Sequence, residues 1–369
     1  MRNMLAVLLL IMTCSVLDAA SPFYVGADVS MLPEIERAGG VYKDQAQARD
    51  CLRILADHRF NLFRIRLFVN PNSDFAKSHG ATQSLDYVRA LAKRVKDVGG
   101  TFLLDLHYSD TWADPGKQHK PAAWKDLDFD ALEQRVGDYT RDVLADLEKH
   151  GVGPDIVQVG NEITGGMLWP DGKVLDAKGD DQHRQWSRFA RLLNSGARAV
   201  RSASTASHPI RVMLHIHGGG REGMAKWFFG QQLGRYPVDY DIVGVSFYPA
   251  WDDQLDALKQ NLADVIRVTG KDVIVAETSY PWREIEDLKS KGTLRWATTP
   301  AGQKQFLQEL VAVIREAPEG RGRGLIYWYP EAIEVPKLHI YRGGGEALFD
   351  RDGNALPAMA LFKTAATRP

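Results

Sequence analysis

At 369 residues, with 44% hydrophobic and 25% charged content, the chain has the make-up of a folded protein with a sizeable core, which excludes a disordered or low-complexity segment. Its formal net charge of -1 gives no basic field to gather nucleic acid or an anionic membrane, so a neutral partner is expected. No Pro-rich linker, Ser-rich linker, repeat or composition shift divides the chain after its N-terminal segment, so one domain is enough.

Residues 1–20 carry Arg2, an apolar run over 5–12, and the small residues Ala19 and Ala20 ahead of Ser21, the pattern of a cleavable export signal. That run is shorter than the ~20 residues of a spanning helix. The expectation is a mature chain of 21–369, secreted or periplasmic, with a lipid on Cys14 as the second alternative and no other membrane attachment. Removal of the signal leaves Cys51 as the single cysteine. An internal disulfide is then impossible, and Cys51 reads as a small buried apolar residue. No CxxC, HExxH or EF-hand spacing occurs, so neither a metal nor a cofactor is expected.

From there, short apolar runs follow one another at 23–30, 62–68, 101–107, 155–162, 212–217, 241–248, 272–277 and 324–329. Amphipathic helical patterns at 85–98, 132–150, 186–203, 255–269 and 303–316 separate most of them. Such alternation predicts a parallel sheet wrapped in helices, and eight units in this length predict an α/β fold, a single (β/α)8 TIM barrel. A doubly wound open sheet is the structural rival. It usually carries a glycine-rich phosphate loop after its first strand, and Gly26-Ala27-Asp28-Val29-Ser30 has none. The longest irregular stretches, 108–126 and 163–181, follow strands, at the barrel end that carries chemistry.

The predicted fourth strand ends on Asn161-Glu162 and the seventh on Glu277, so each brings a carboxylate to the same rim. Retaining cleavage of a glycosidic bond needs such a pair ~5 to 5.5 Å apart, one group to protonate the leaving oxygen and one to attack. Either glutamate alone would read as a structural ion-pair partner; their coincidence at two strand ends points to catalysis. Strict alternation places Gln158, Gly160 and Glu162 on one face and Val273, Val275 and Glu277 on one face. Asn161 then points away unless the strand turns at Gly160. Arg64, Arg66, Asp105, His107, His215, His217, Tyr248 and Trp328 make the remaining strand ends polar or aromatic. Arg64, Asp105 and His215 sit deeper, and read equally well as core polar groups bonded to each other. A zinc site from His107, His215 and His217 is a minor alternative, because barrel metallohydrolases commonly place His-x-His after the first strand. Trp112, Trp124, Trp169, Trp251 and Trp282 fall in loops after strands, where indole faces suit sugars; Trp112 and Trp328 are the first candidates.

Four segments carry a resemblance: Tyr24-Val25-Gly26-Ala27-Asp28-Val29-Ser30-Met31, His107-Tyr108-Ser109-Asp110-Thr111-Trp112-Ala113-Asp114-Pro115-Gly116, Val159-Gly160-Asn161-Glu162-Ile163-Thr164 and Ala276-Glu277-Thr278-Ser279-Tyr280-Pro281. Together they resemble the arabinogalactan endo-β-1,4-galactanases of glycoside hydrolase family 53, over nearly the whole mature chain. The resemblance implies Glu162 as acid/base and Glu277 as nucleophile, with Arg66 and Tyr248 holding the nucleophile. It also implies Asn161 on the sugar 2-hydroxyl, and His107, His217 and Trp328 around the cleaved bond. Asp110 and Trp112, within the second segment, are expected to bind substrate. The partner implied is β-1,4-galactan, met by a monomer. Some bacterial members bind calcium after strand seven, but no such ligands align onto 283–299. Another retaining activity, on mannan or cellulose, and non-catalytic carbohydrate binding remain as alternatives.

Overall fold

The computed structural model describes residues 22–365, apart from 177, 253 and 290–293. The expected export signal and Cys14 lie outside the described residues. Eight parallel strands close into a barrel: β1 (Tyr24–Asp28), β2 (Leu62–Leu67), β3 (Thr101–Leu106), β4 (Ile156–Val159), β5 (Arg211–Ile216), β6 (Ile242–Ser246), β7 (Asp272–Thr278) and β8 (Gly322–Trp328). Each pairs with its neighbours in sequence, and β1 closes the ring by pairing with both β2 and β8. The expected order of eight strands is therefore the observed one. Helices α1 (Cys51–Asp57), α2 (Leu85–Asp97), α3 (Phe129–Lys149), α4 (Gly179–Ala203), α5 (Leu255–Thr269) and α6 (Pro300–Arg315) occupy the crossovers, with a π-helical segment, Lys226–Gln232, between β5 and β6. Side-chain caps fix the starts of several: the Ser84 hydroxyl accepts from Tyr87 N–H, the Asp128 carboxylate from Ala131 N–H, and the Thr299 hydroxyl from Gly302 N–H.

Strand alternation divides the apolar residues into two cores. Tyr24, Leu62, Leu103, Ile156, Met213, Ile242, Ile274 and Ile326, one from each strand, fill the barrel interior as an apolar floor. Their neighbours, such as Phe63, Leu104, Val157 and Val243, face outward into the larger core shared with the helices. Cys51 lies in that outer core as a free, fully buried thiol.

One register detail corrects a sequence expectation. Val273 and Val275 pack outward against the helices, while Ile274 and Ala276 face the barrel interior. Strict alternation would then turn Glu277 outward. Instead, Val245 pairs with Val275 and Ser246 with Glu277, leaving Ala276 as an extra residue. The pairing with β8 slips in the same stretch. This bulge re-aims Glu277 into the barrel mouth.

Candidate active site

The strands end in tight turns that carry polar side chains over the apolar floor. At β4, Gly160 takes φ 82, and a Cβ there would meet Ile163 Cγ2 at 2.6 Å, so the turn requires glycine. Glu162 follows in the left-handed region, at φ 47, and Tyr108 and Tyr329 adopt the same conformation after β3 and β8. Left-handed non-glycine backbone is uncommon and costs ~1–3 kcal/mol per residue, which the packed barrel has to offset. Its effect at β4 is to bring Asn161 and Glu162 to one face, the turn that alternation alone did not supply.

Glu162 and Glu277 line the same groove, of ≈ 870 Å³, at the C-terminal end of the barrel. Their surroundings differ. Glu277 is 7% exposed; its Oε1 accepts from Arg64 Nη1 at 2.7 Å and its Oε2 from Tyr248 Oη at 2.9 Å. Burial and the Glu277 charge hold the Tyr248 phenol well above its ordinary range, so it stays a donor. Among the described residues no cation bonds Glu162; its Oε1 lies 2.7 Å from Ser246 Oγ. Burial and then the Glu277 charge hold the Glu162 carboxyl well above the usual carboxylate range; a Ser246 hydroxyl donating to it would act the other way, Asp114 adds to the rise, and the Arg64 charge opposes it. One carboxyl is thus fitted to carry a proton and the other to carry charge.

A buried polar layer beneath links the two. Arg64 Nη1 also reaches Asp28 at 3.0 Å, and Nη2 reaches Asp105 and Asn161 Oδ1, each at 2.7 Å. Burial works against charge on Asp105, yet Arg64 and His107 hold its carboxyl down to about 2. Asn161 Oδ1 further accepts from Gln158 Nε2 at 3.0 Å, while Asn161 Nδ2 donates to Ala113 O at 2.9 Å. His215 spans Asn161 Oδ1 at 3.0 Å and Ser246 Oγ at 2.9 Å.

Several expected residues meet in this groove: Asn161, His107, His217, Tyr248, Trp112 and Trp328 all line it beside the two glutamates. His107 Nδ1 accepts from Ala113 N–H at 3.0 Å, so its Nε2–H is directed to Asp105 at 3.1 Å. Burial, then the Arg221 charge, bring the His217 imidazole down to about 4, leaving it neutral near pH 7. Trp251 also lines the groove and is 47% exposed, whereas Trp124 is core and Trp169 and Trp282 lie outside the lining.

Two expectations need correcting. Arg66 lines the groove but does not hold Glu277: its guanidinium lies over the Trp112 ring, 4.3 Å from the centroid, and reaches Asp28 at 3.4 Å. Arg64 is the arginine on the nucleophile candidate, so its reading as a core polar group was incomplete. Asp110 is absent from the lining; it is buried, and its Oδ2 accepts from Ala122 N–H at 2.9 Å, tying down the third βα loop. The histidine zinc alternative also finds no support: the rings of His107 and His215 spend both nitrogens on protein partners, and no group among the described residues could hold a metal ion. Ser246 was missed, although its place two residues before Tyr248 on one strand face could have pointed to it.

Comparison with known proteins agrees with this geometry. The family model described as glycosyl hydrolase family 53 matches residues 24–362. An uncharacterised protein of Niallia circulans is 39% identical over 92% of this chain and 93% of its own length. The arabinogalactan endo-beta-1,4-galactanase of Cellvibrio japonicus (strain Ueda107) is 35% identical over 93% of this chain and 91% of its own. Among solved structures, the Ignisphaera aggregans GH53 catalytic domain superposes with a TM-score of 0.83 at 30% identity, covering 93% of this chain and 96% of that one. With a closed barrel, two carboxylates in one groove and a model match across nearly all of its length, this chain belongs to glycosyl hydrolase family 53.

Proposed function

We propose that this protein is an endo-acting β-1,4-galactanase that cleaves galactan with retention, using Glu162 as acid/base and Glu277 as nucleophile. The reading is carried by the opposite surroundings of two carboxyls in one groove: Glu162 with no bonded cation among the described residues and its carboxyl held well above the usual range, Glu277 between Arg64 and the Tyr248 hydroxyl. The relative of Cellvibrio japonicus named for the same activity supports the choice of substrate.

Glu162 protonates the departing glycosidic oxygen while Glu277 attacks the anomeric carbon, forming a covalent galactosyl-enzyme. As the Glu277 charge is spent in the new bond, the main neighbouring anion that favours a proton on Glu162 disappears, and Glu162 turns to accepting one from water. Asn161 spends one Nδ2 hydrogen on Ala113 O and keeps its second for the sugar 2-hydroxyl. Trp112, backed by the Arg66 guanidinium and tied by its indole N–H to His79 O at 3.1 Å, offers a fixed ring for a sugar face, and Trp328 a second. His217, neutral near pH 7, completes the subsite at the cleaved bond as a donor or acceptor, while His107, with its nitrogens on Ala113 and Asp105, shapes it with its ring. No step calls for a metal or cofactor.

Export of the chain rests on the leader-like residues 1–20; among the described residues no helix is long and apolar enough to cross a membrane. Reducing-sugar release from galactan, mannan and cellulose, with products sized, tests the activity: cleavage of galactan with internal cuts is expected. Preference for mannan or cellulose would replace the substrate, and binding without release would remove the catalytic reading.

A further inference from the structure

The polar chain that runs from Glu162 through Ser246, His215 and Asn161 has donors and acceptors that can be assigned one by one. Asn161 Nδ2 faces the Ala113 carbonyl, so the atom turned to Arg64, Gln158 and His215 is the amide oxygen, an acceptor only. His215 Nδ1, 3.0 Å from that oxygen, therefore bears a hydrogen. His215 is fully buried beside the Arg64 cation; burial first and that charge second hold its imidazole well below its ordinary range, so the ring is neutral and Nε2 is a bare lone pair. Ser246 Oγ, 2.9 Å away, must give its single hydrogen to Nε2. In the contact to Glu162 Oε1, at 2.7 Å, the serine is donor only to an ionised carboxylate; with its hydrogen on Nε2, what it turns to Glu162 is a lone pair. That contact is favourable only when the Glu162 oxygen itself brings the hydrogen.

We propose that Ser246 and His215 act as a directional hydrogen-bond relay that accepts from the protonated Glu162 carboxyl and thereby favours the return of its proton between turnovers. The proposal rests on the reading of Glu162 as the acid. When Glu162 delivers its proton to the leaving oxygen, the Ser246 hydroxyl can turn to the new carboxylate only by abandoning His215 Nε2, leaving two lone pairs facing each other at 2.9 Å. No proton leaves the relay in that rotation; one hydrogen bond is exchanged for another, with an unfavourable contact left behind. Deprotonation of Glu162 thus carries a fixed penalty from the buried layer, and the return of a proton from water relieves it. Ser246 and His215 are positioning residues: His215 lies beneath the groove lining, and Ser246, although it lines the groove, acts here through Glu162. The charged and titratable groups facing Glu162 are Glu277 from β7, Asp114 from the third loop and Arg64 from β2; those facing His215 are Arg64, Asp105, His107 and His217.

The sign of one shift decides the matter. A serine that donates to the carboxylate would lower the affinity of Glu162 for its proton, and its removal would move the basic limb of kcat/KM upward. A serine that accepts does the reverse. For Ser246→Ala on galactan, the basic limb should fall by about 0.5 to 1 pH unit, the scale of one lost hydrogen bond, while Ser246→Thr, which keeps the hydroxyl, should restore it. On a dinitrophenyl β-galactobioside, whose leaving group needs no proton, Ser246→Ala should lose about tenfold less than it does on galactan above the limb. His215→Leu frees the Ser246 hydrogen for the Glu162 carboxylate, so the limb should fall again and the proposal remains testable if Ser246→Ala is too unstable to assay. A limb that stays or rises in either variant, or equal losses on both substrates, would overturn the relay. Failure of the underlying reading would look different: Glu162→Gln would keep wild-type turnover of galactan.

Discussion

Arg64 Nη1 lies 2.7 Å from Glu277 Oε1, reaching from β2 across the barrel mouth to a carboxylate on β7. The same guanidinium bonds Asp28, Asp105 and Asn161, so one buried cation bonds three carboxylates and touches the residue beside the acid. Removing one partner of a buried ion pair costs ~3–5 kcal/mol, because the charges left behind stay out of water. Arg64→Met should lower kcat/KM on galactan by at least about 100-fold, ~2.7 kcal/mol of transition-state stabilisation, and also lower the melting temperature. Arg66→Met should do less to kcat. Steady-state kinetics and a thermal melt on both variants check the assignment, and the reverse ranking would return the role to Arg66.

Trp112 is held from behind by Arg66 and at its edge by the His79 carbonyl. A ring fixed in this way binds ground state and transition state alike, so Trp112→Ala should raise KM on galactan with a smaller change in kcat. Saturation kinetics separate the two parameters.

Asp110 belongs to the most conspicuous segment of the chain, yet its carboxylate accepts from Ala122 N–H outside the groove. Asp110→Ala should cost about 1 kcal/mol of stability, the worth of one backbone-directed hydrogen bond, and leave KM for galactan close to wild type. Chemical denaturation alongside kinetics checks this; a large rise in KM at unchanged stability would place Asp110 on the substrate.

Glu331 has a pH signature of its own. Its Oε1 accepts from Met31 N–H, and burial, followed by the Asp28 charge, raises its carboxyl from 4.5 to about 8. A folded-state value above the unfolded one means that the contribution to stability is complete below pH 4.5 and is lost as pH climbs through about 8. Glu331→Gln mimics the protonated form and does not titrate. Its stability advantage over wild type should grow by about 1.4 kcal/mol per pH unit between these limits and flatten above them. Denaturant midpoints of both proteins from pH 4 to 9 test it, and a difference independent of pH would contradict the buried neutral carboxyl.

The eight strands and their order were legible in the sequence because each outward face needs apolar residues for the helices and each inward face needs them for the floor, which makes strands such as Asp272–Thr278 nearly continuous apolar runs. That same continuity hid the bulge at Ala276: with Val, Ile and Ala on both faces, nothing in the pattern shows where register slips. Gly160 did announce its turn, since a lone glycine at a strand end marks a backbone that must bend. Arg64 and Arg66 share one strand face, so alternation could not say which reaches Glu277; the guanidinium stack under Trp112 decides it in three dimensions. Ser246 stayed hidden because a serine at the end of an apolar strand looks like any small core residue until His215 and Glu162 are seen on either side of it.

The most direct test of the paired-carboxylate mechanism is to trap its intermediate. Incubation with a 2-deoxy-2-fluoro-β-galactobioside bearing a dinitrophenyl leaving group slows both steps, and peptide mapping by mass spectrometry then locates the sugar. The expected result is one galactobiosyl label on the peptide that contains Glu277, formed in wild type and absent from Glu277→Ala. A label on Glu162, or an unlabelled protein that cleaves galactan with inversion at the anomeric carbon, would contradict it.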